Sequence, residues 1–155
     1  MAANVGRTVS KWVTFKVDNS SGTLTTIAID SINGVGLTYD EVDLTAFQDA
    51  LHGVLPNHPD VTIAITGPFD NTATTGNHIV LSGIAGGVTP LSIDVQIGMR
   101  HAWESGEPQF GLTSSSTVGF LCTEYLVDPG TGKYSAKFRV YPGSDAPAWG
   151  TAAEV

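Results

Sequence analysis

Apolar and polar residues alternate along most of this chain in short blocks, with turn-forming residues between them. Trp12 to Val17 puts Val13, Phe15 and Val17 on one face, the two-residue period of a half-buried strand. Asn19-Ser20-Ser21-Gly22 makes a turn, and the β-favouring run from Thr23 to Asp30 predicts a second strand. Ser31 to Gly36 reads as a loop around the turn dipeptide Asn33-Gly34. Val61 to Gly67 alternates cleanly, with Val61, Ile63 and Ile65 inward. Leu91 to Gly98 alternates best: Leu91, Ile93, Val95 and Ile97 inward, Ser92, Asp94 and Gln96 outward. Ile79 to Leu81 reads as a short strand between the polar loop Asp70–Asn77 and the Gly-rich loop Gly83–Thr89. His101 to Gln109 is irregular around Trp103. Phe110 to Val127 holds one or two strands, Asp128-Pro129-Gly130 turns, and Tyr134 to Tyr141 is the last strand.

One stretch departs from the period of two. Leu44, Phe47 and Leu51 recur at helical spacing, with Ala46 and Ala50 between them. Thr38 and Glu41 form a capping box, or Asp40 caps directly, and Asp40, Glu41 and Asp43 suit the positive end of a helix. Pro56 and Pro59 would stop it. The reading is one helix over about 41–53, flanking seven or eight short strands. The expected fold is mainly β, a β-sandwich or partly closed barrel with that helix on its flank. With no internal repeat and no linker, residues 1–155 form one domain, with a flexible or extended N-terminal arm (1–11) and a small-residue C-terminal tail (142–155).

Composition supports this class. Eighteen glycines and few helix formers favour β structure with many turns. Charged residues make up 14% of the chain, against about 25% in ordinary soluble domains. Sparse charge on a β protein points to surface covered by partners, because interface cores are depleted in charge. Neither a signal peptide nor an apolar run long enough to span a membrane is legible, which places synthesis and folding in a cytosol. The single Cys122 lies in an apolar run and reads as a buried, inert thiol.

Charge placement changes the picture further. From Asp18 to Asp94 all nine charged side chains are acidic: Asp18, Asp30, Asp40, Glu41, Asp43, Asp49, Asp60, Asp70 and Asp94. Arg7, Lys11 and Lys16 precede the run, and Arg100, Lys133, Lys137 and Arg139 follow it. A single-sign run repels anions or attracts cations. A net charge of −8 argues against nucleic-acid binding by bulk electrostatics. Catalytic chemistry finds no foothold. His52, His58, His78 and His101 lack zinc-site spacing, and no nucleophile elbow or phosphate loop is present. No cofactor and no metal are expected, and Trp12, Trp103 and Trp149 are too dispersed for a sugar platform.

The segment from Ala28 to Asp70, with its Asp30, Asp43-Leu44-Thr45, Phe47, Pro56, Val61 to Ile65 and Gly67-Pro68-Phe69-Asp70, resembles the tail tube and related structural proteins of long-tailed, siphovirus-like bacteriophages. The end of the chain is also similar: a strand to Tyr141, then Pro142-Gly143-Ser144, Pro147 and Trp149-Gly150. Leu44 is a mild departure from the family pattern. The resemblance implies hexameric rings stacked into a hollow tube, located in the virion tail and assembled in the host bacterial cytoplasm. The implied partners are the chain itself and other tail proteins (tape measure, terminator, baseplate), with DNA passing through without specific binding and no membrane contact. An acidic lumen would repel phosphates where Lys or Arg would hold them. Candidates for that lining are Asp94, Asp40, Glu41, Asp43 and Asp30. Candidates for inter-subunit contact are Phe47, Phe69, Tyr39 and Trp149. Two other readings stay open: another virion β-protein (capsid decoration, terminator or baseplate component), or a carbohydrate-binding or adhesin sandwich with clustered aromatics and a Ca²⁺ site near Asp70.

Overall fold

A computed structural model of the chain describes residues 6–155. Residues 1–5 of the expected N-terminal arm lie outside the described residues. The rest of the arm runs through a 3-10 turn, Ser10–Trp12, into the first strand, and Thr8 donates its hydroxyl proton to the Gly98 carbonyl.

Two sheets pack face to face. The first contains β1 (Val13–Asp18), β2 (Leu24–Ile27), β7 (Ile93–Ile97), β8 (Gln109–Leu112) and β11 (Ala148–Gly150), in the order β11-β8-β7-β1-β2. The second contains β3 (Ser31–Ile32), β6 (Thr62–Pro68), β9 (Phe120–Asp128) and β10 (Lys133–Val140), in the order β3-β6-β10-β9. All pairings are antiparallel. The inward alternation read from the sequence fills the space between the sheets. Phe15, Val17, Ile93, Val95 and Phe110 meet Ile63, Ile65, Phe120, Ala136 and Phe138 in one core. The Phe15 and Phe138 rings bridge the two layers with centroids 5.6 Å apart. The result is a mainly-β sandwich with one flanking helix, and the barrel is not closed.

The helix is not where the helical spacing predicts it. Residues 41–53 are not helical. β4 (Thr38–Asp43) and β5 (Val54–Asp60) form a separate two-stranded antiparallel sheet, joined by a loop across 44–53. Local hydrogen bonds hold the loop. The Asp43 carboxylate accepts from the Thr45 N–H, Asp49 accepts from the Ala46 N–H, and the Leu44 N–H donates to the Gly53 carbonyl. Asp and Thr side chains that bond nearby backbone draw a segment away from the helix. Among the described residues, nothing buries Leu44, Phe47 or Leu51, so their spacing had no face to bury against. Pro56 and Pro59 end no helix. They sit within β5, which a two-stranded ribbon tolerates because its outer edge needs no N–H donor.

The helix is α1 (Asn77–Ile84), which takes in the predicted short strand Ile79–Leu81. Asn77, Val80, Leu81 and Ile84 are buried at helical spacing. Asn77 locks the start, donating its side-chain amide to the Pro68 carbonyl and accepting from the Asp70 N–H. The predicted strand Thr23–Asp30 also divides. The chain leaves the first sheet after Ile27 and joins the second at Ser31, where a loop was expected. That crossing brings backbone close. A Cβ on Gly67 would lie 2.6 Å from the Ala28 carbonyl oxygen, so only glycine fits. Phe110 to Val127 resolves into two strands, and the C-terminal tail contributes β11.

Candidate assembly surface

The acidic run splits into four environments. Asp18 and Asp94 are buried. Asp30 and Asp60 pair with cations of β10: Lys133 Nζ lies 2.8 Å from Asp30, and Arg139 lies 3.1 Å from Asp60. The Lys133 and Thr66 hydrogen bonds hold the Asp30 carboxyl below the usual range. Asp70 is a turn residue whose carboxylate accepts from the Thr72 N–H and hydroxyl, which lowers its pKa. Asp40, Glu41, Asp43 and Asp49 remain exposed on the β4–β5 hairpin. Asp43 is also held below the ordinary range, by its bonds to Thr45.

Asp94 overturns the outward reading of Ser92, Asp94 and Gln96. All three are buried, and Asp94 is 0% exposed. The alternation is correct, but the C-terminal residues cross this face of the first sheet. The Glu154 N–H and the Gln96 amide donate to Asp94 Oδ2, and the Ser92 hydroxyl donates to the Val155 carbonyl. Glu154 accepts from Gln109 and Thr113. Burial pushes the Asp94 carboxyl up, and bonds to Gln109, Glu154 and Gln96 offset part of the rise. A carboxyl sealed in this way cannot line a channel. Among the lining candidates, Asp30, Asp40, Glu41 and Asp43 keep access to solvent.

The contact candidates Phe47, Phe69, Tyr39 and Trp149 are all exposed. The structure does not bring them together. Tyr39 and Phe47 belong to the hairpin. Phe69 follows β6 at the far end of that strand, its ring 5.0 Å from the His78 ring. Trp149 lies on β11, 5.1 Å from the Phe110 ring.

The hairpin itself is the outstanding feature. Every residue of β4 and β5 is exposed. Tyr39, Val42, Leu44, Phe47, Leu51, Val54 and Leu55 all present apolar side chains to solvent. A lone two-stranded ribbon is marginally stable in water, and contiguous exposed apolar surface marks an interaction site. Val42, Val54 and Leu55 were missed in the sequence. The signal was Val42 flanked by Tyr39 and Leu44, facing Val54-Leu55 across a loop: two β-favouring runs that a helical period at 44–51 masked.

A second exposed apolar site lies at the opposite end of β6. Leu126, Val127 and Pro129 are exposed around a groove of about 580 Å³, with Lys133 and the exposed Asp128 at its side and the buried Tyr134 also lining it. Among the described residues, no group of three or more His, Cys, Asp or Glu is placed to hold a metal. His78 bonds the Tyr125 hydroxyl at 2.9 Å, and His101 pairs with the buried Glu107 at 2.7 Å. No described helix is long and apolar enough to cross a membrane.

No family model and no curated protein matches the chain. Solved structures do. A chain of the six-fold symmetrised anti-feeding prophage baseplate aligns with a TM-score of 0.63 at 9% identity, covering 94% of this chain and 97% of that one. A chain of the PVC sheath/tube terminator, from an extracellular contractile injection system in the extended state, aligns at 0.59 and 12% identity, covering 96% and 99%. A chain of the PVC sheath-tube complex aligns at 0.52 and 11% identity, covering 89% and 88%. The chain therefore shares its fold with chains of the anti-feeding prophage baseplate and of an extracellular contractile injection system. This is broader than the siphovirus-like tail tube that the sequence resembles.

Proposed function

We propose that this protein is a structural subunit of a phage-tail-type assembly, forming rings that stack into a hollow tube. The observation that carries the reading is the β4–β5 hairpin, an arm with apolar side chains that stays exposed among the described residues. The shared fold supports it: each of the three neighbours belongs to a tail or injection-system assembly. Ring closure would also pair the open sheet edge of β2 and that of β9 beyond Cys122, which otherwise invite aggregation. Partners are then the chain itself and the other tail proteins it meets at the tube ends. Asp30, Asp40, Glu41 and Asp43 are the acids available to line a lumen and repel DNA phosphates.

A second reading, a terminator or baseplate ring, is favoured by the titles of the two neighbours that align with the higher TM-scores. Negative-stain electron microscopy of the purified protein separates the outcomes. Long tubes or stacks of rings are expected. Single rings that never stack would select the terminator or baseplate reading. A monomer at high concentration, with no rings, would reject both.

A further inference from the structure

Residues 151–155 cross the outer face of the first sheet as a strap that buries no apolar side chain of its own. Thr151, Ala152, Ala153 and Val155 are exposed, and Glu154 is half-buried. Hydrogen bonds hold the segment. The Thr151 carbonyl accepts from the Gly106 N–H. The Glu154 N–H donates to Asp94 Oδ2 at 3.2 Å, the Val155 N–H donates to the Thr113 hydroxyl, and the Val155 carbonyl accepts from Ser92. The Glu154 carboxylate accepts from the Gln109 amide and the Thr113 hydroxyl. The surface beneath is polar as well: Ser92, Asp94, Gln96 and Gln109 are all buried. A segment with few apolar contacts belongs to the low-stability end of a fold, and opening it bares chiefly groups that water solvates.

Closing the strap is costly at two carboxyls. Asp94 Oδ2 accepts from the Glu154 N–H and the Gln96 amide, while Asp94 Oδ1 has no donor among the described residues. A buried carboxylate oxygen without a donor is expensive, and a proton on the carboxyl removes the charge that makes it so. Glu154 brings a second carboxyl to the same place, and its charge adds to the burial that raises the Asp94 pKa. Compensating charge is thin. Lys16 stands opposite Asp94 in the β1–β7 ladder and lines, with Asp94 and Glu154, a cavity of about 430 Å³ between the strap and β1–β2. No ion pair joins Lys16 to either carboxyl among the described residues. Asp18, two positions on, adds a further buried acid held by Ser92 and Ser114. β2 and β8 carry no charged side chain. At the other end, the loop that receives Thr151 carries His101, Glu104 and Glu107, with His101 set against both glutamates.

We propose that residues 151–155 form a proton-linked strap, closed over Ser92, Asp94 and Gln96 while the Asp94–Glu154 pair holds a proton and lifted when both carboxyls are ionised. The closed form binds that proton more tightly than the open form. Closure is therefore favoured at low pH and lost as pH rises through the raised Asp94 range. Lifting turns a covered face into a hydrated, acidic one and leaves the apolar core between the sheets untouched. It holds whether or not copies of the chain assemble.

The test is hydrogen exchange of the full chain at pH 4.5 and pH 7, with labelling times scaled to the intrinsic exchange rate. Mass spectrometry reads a peptide covering 151–155 and, as a control, one covering β7. Protection of the strap should fall several-fold from pH 4.5 to pH 7, while β7 stays protected at both. Asp94→Asn and Glu154→Gln each remove one titrating group, and each should keep at pH 7 the protection seen at pH 4.5. Glu154→Gln changes a half-buried residue of the strap itself, so it gives the answer even if Asp94→Asn does not fold. A strap equally protected at both pH values in the wild type overturns the proposal. A fall that persists in the folded variants also overturns it and assigns the pH dependence to another group, with His101 and its glutamates the first to examine. Variants unprotected at both pH values show that the two side chains act through their bonds and not their protons, which overturns it as well. Loss of β7 protection together with the strap means that the whole sheet opens, and it rejects a separate strap.

Discussion

Asp94 lies across from Lys16 in the pairing of β1 and β7, yet its neighbours on the outer face are the backbone and side chain of Glu154. Burial raises its folded pKa above the ordinary 3.8, so the folded state binds this proton more tightly than the unfolded state. Its contribution is most favourable below the unfolded value and is lost as pH rises through the raised one. Asp94→Asn should remove that dependence. In urea melts at pH 7 and pH 4.5, wild type should gain stability relative to Asp94→Asn at the lower pH. A constant difference between the two would show that folding leaves the carboxyl's proton affinity unshifted. Residue chemistry was legible where the partner is local. Asp70 read as the start of a polar loop, and there its carboxylate accepts from Thr72 two residues on. Asp94 was misjudged because its cover comes from 60 positions away.

Elements show the same division. The strands Val13–Asp18, Thr62–Pro68, Ile93–Ile97 and Lys133–Val140 each appear within one or two residues of their alternating runs, because both faces of the pattern are decided by neighbouring residues. The helix was misplaced because a period of 3.6 shows only that a helix could bury one face. At 44–51 there is nothing to bury against, and at 77–84 β9 and the core supply the face. Most helix stability in proteins comes from such packing. α1 has eight residues and no side-chain cap on its first turn, so Asn77 carries much of its entry. Asn77→Ala would leave the Pro68 carbonyl and the Asp70 N–H without their partner. A loss of about 1–3 kcal/mol in chemical denaturation is expected. A change within error would mean that the turn before the helix holds its shape through the Gly76 and Asp70 backbone bonds alone.

At the scale of the whole molecule, the sandwich core is self-sufficient and the arm is not. Anything that binds only the folded state raises apparent stability by mass action. If copies assemble through the arm, the melting temperature of wild type should rise with protein concentration, and that of Phe47→Asp should stay flat. Equal, flat curves would show that folding and association are uncoupled over that range. By itself, the sequence determined the β class, the inward face of most strands, the turns and the absence of recognisable catalytic spacing. Those properties follow from interactions between residues close along the chain. Tertiary structure decided where the α-helix forms, which acids are buried, and that residues 38–60 stand out as a hairpin. Each of these depends on whether a distant segment arrives to cover a surface: the C-terminal residues cover Asp94, β9 covers α1, and no described residue covers Phe47.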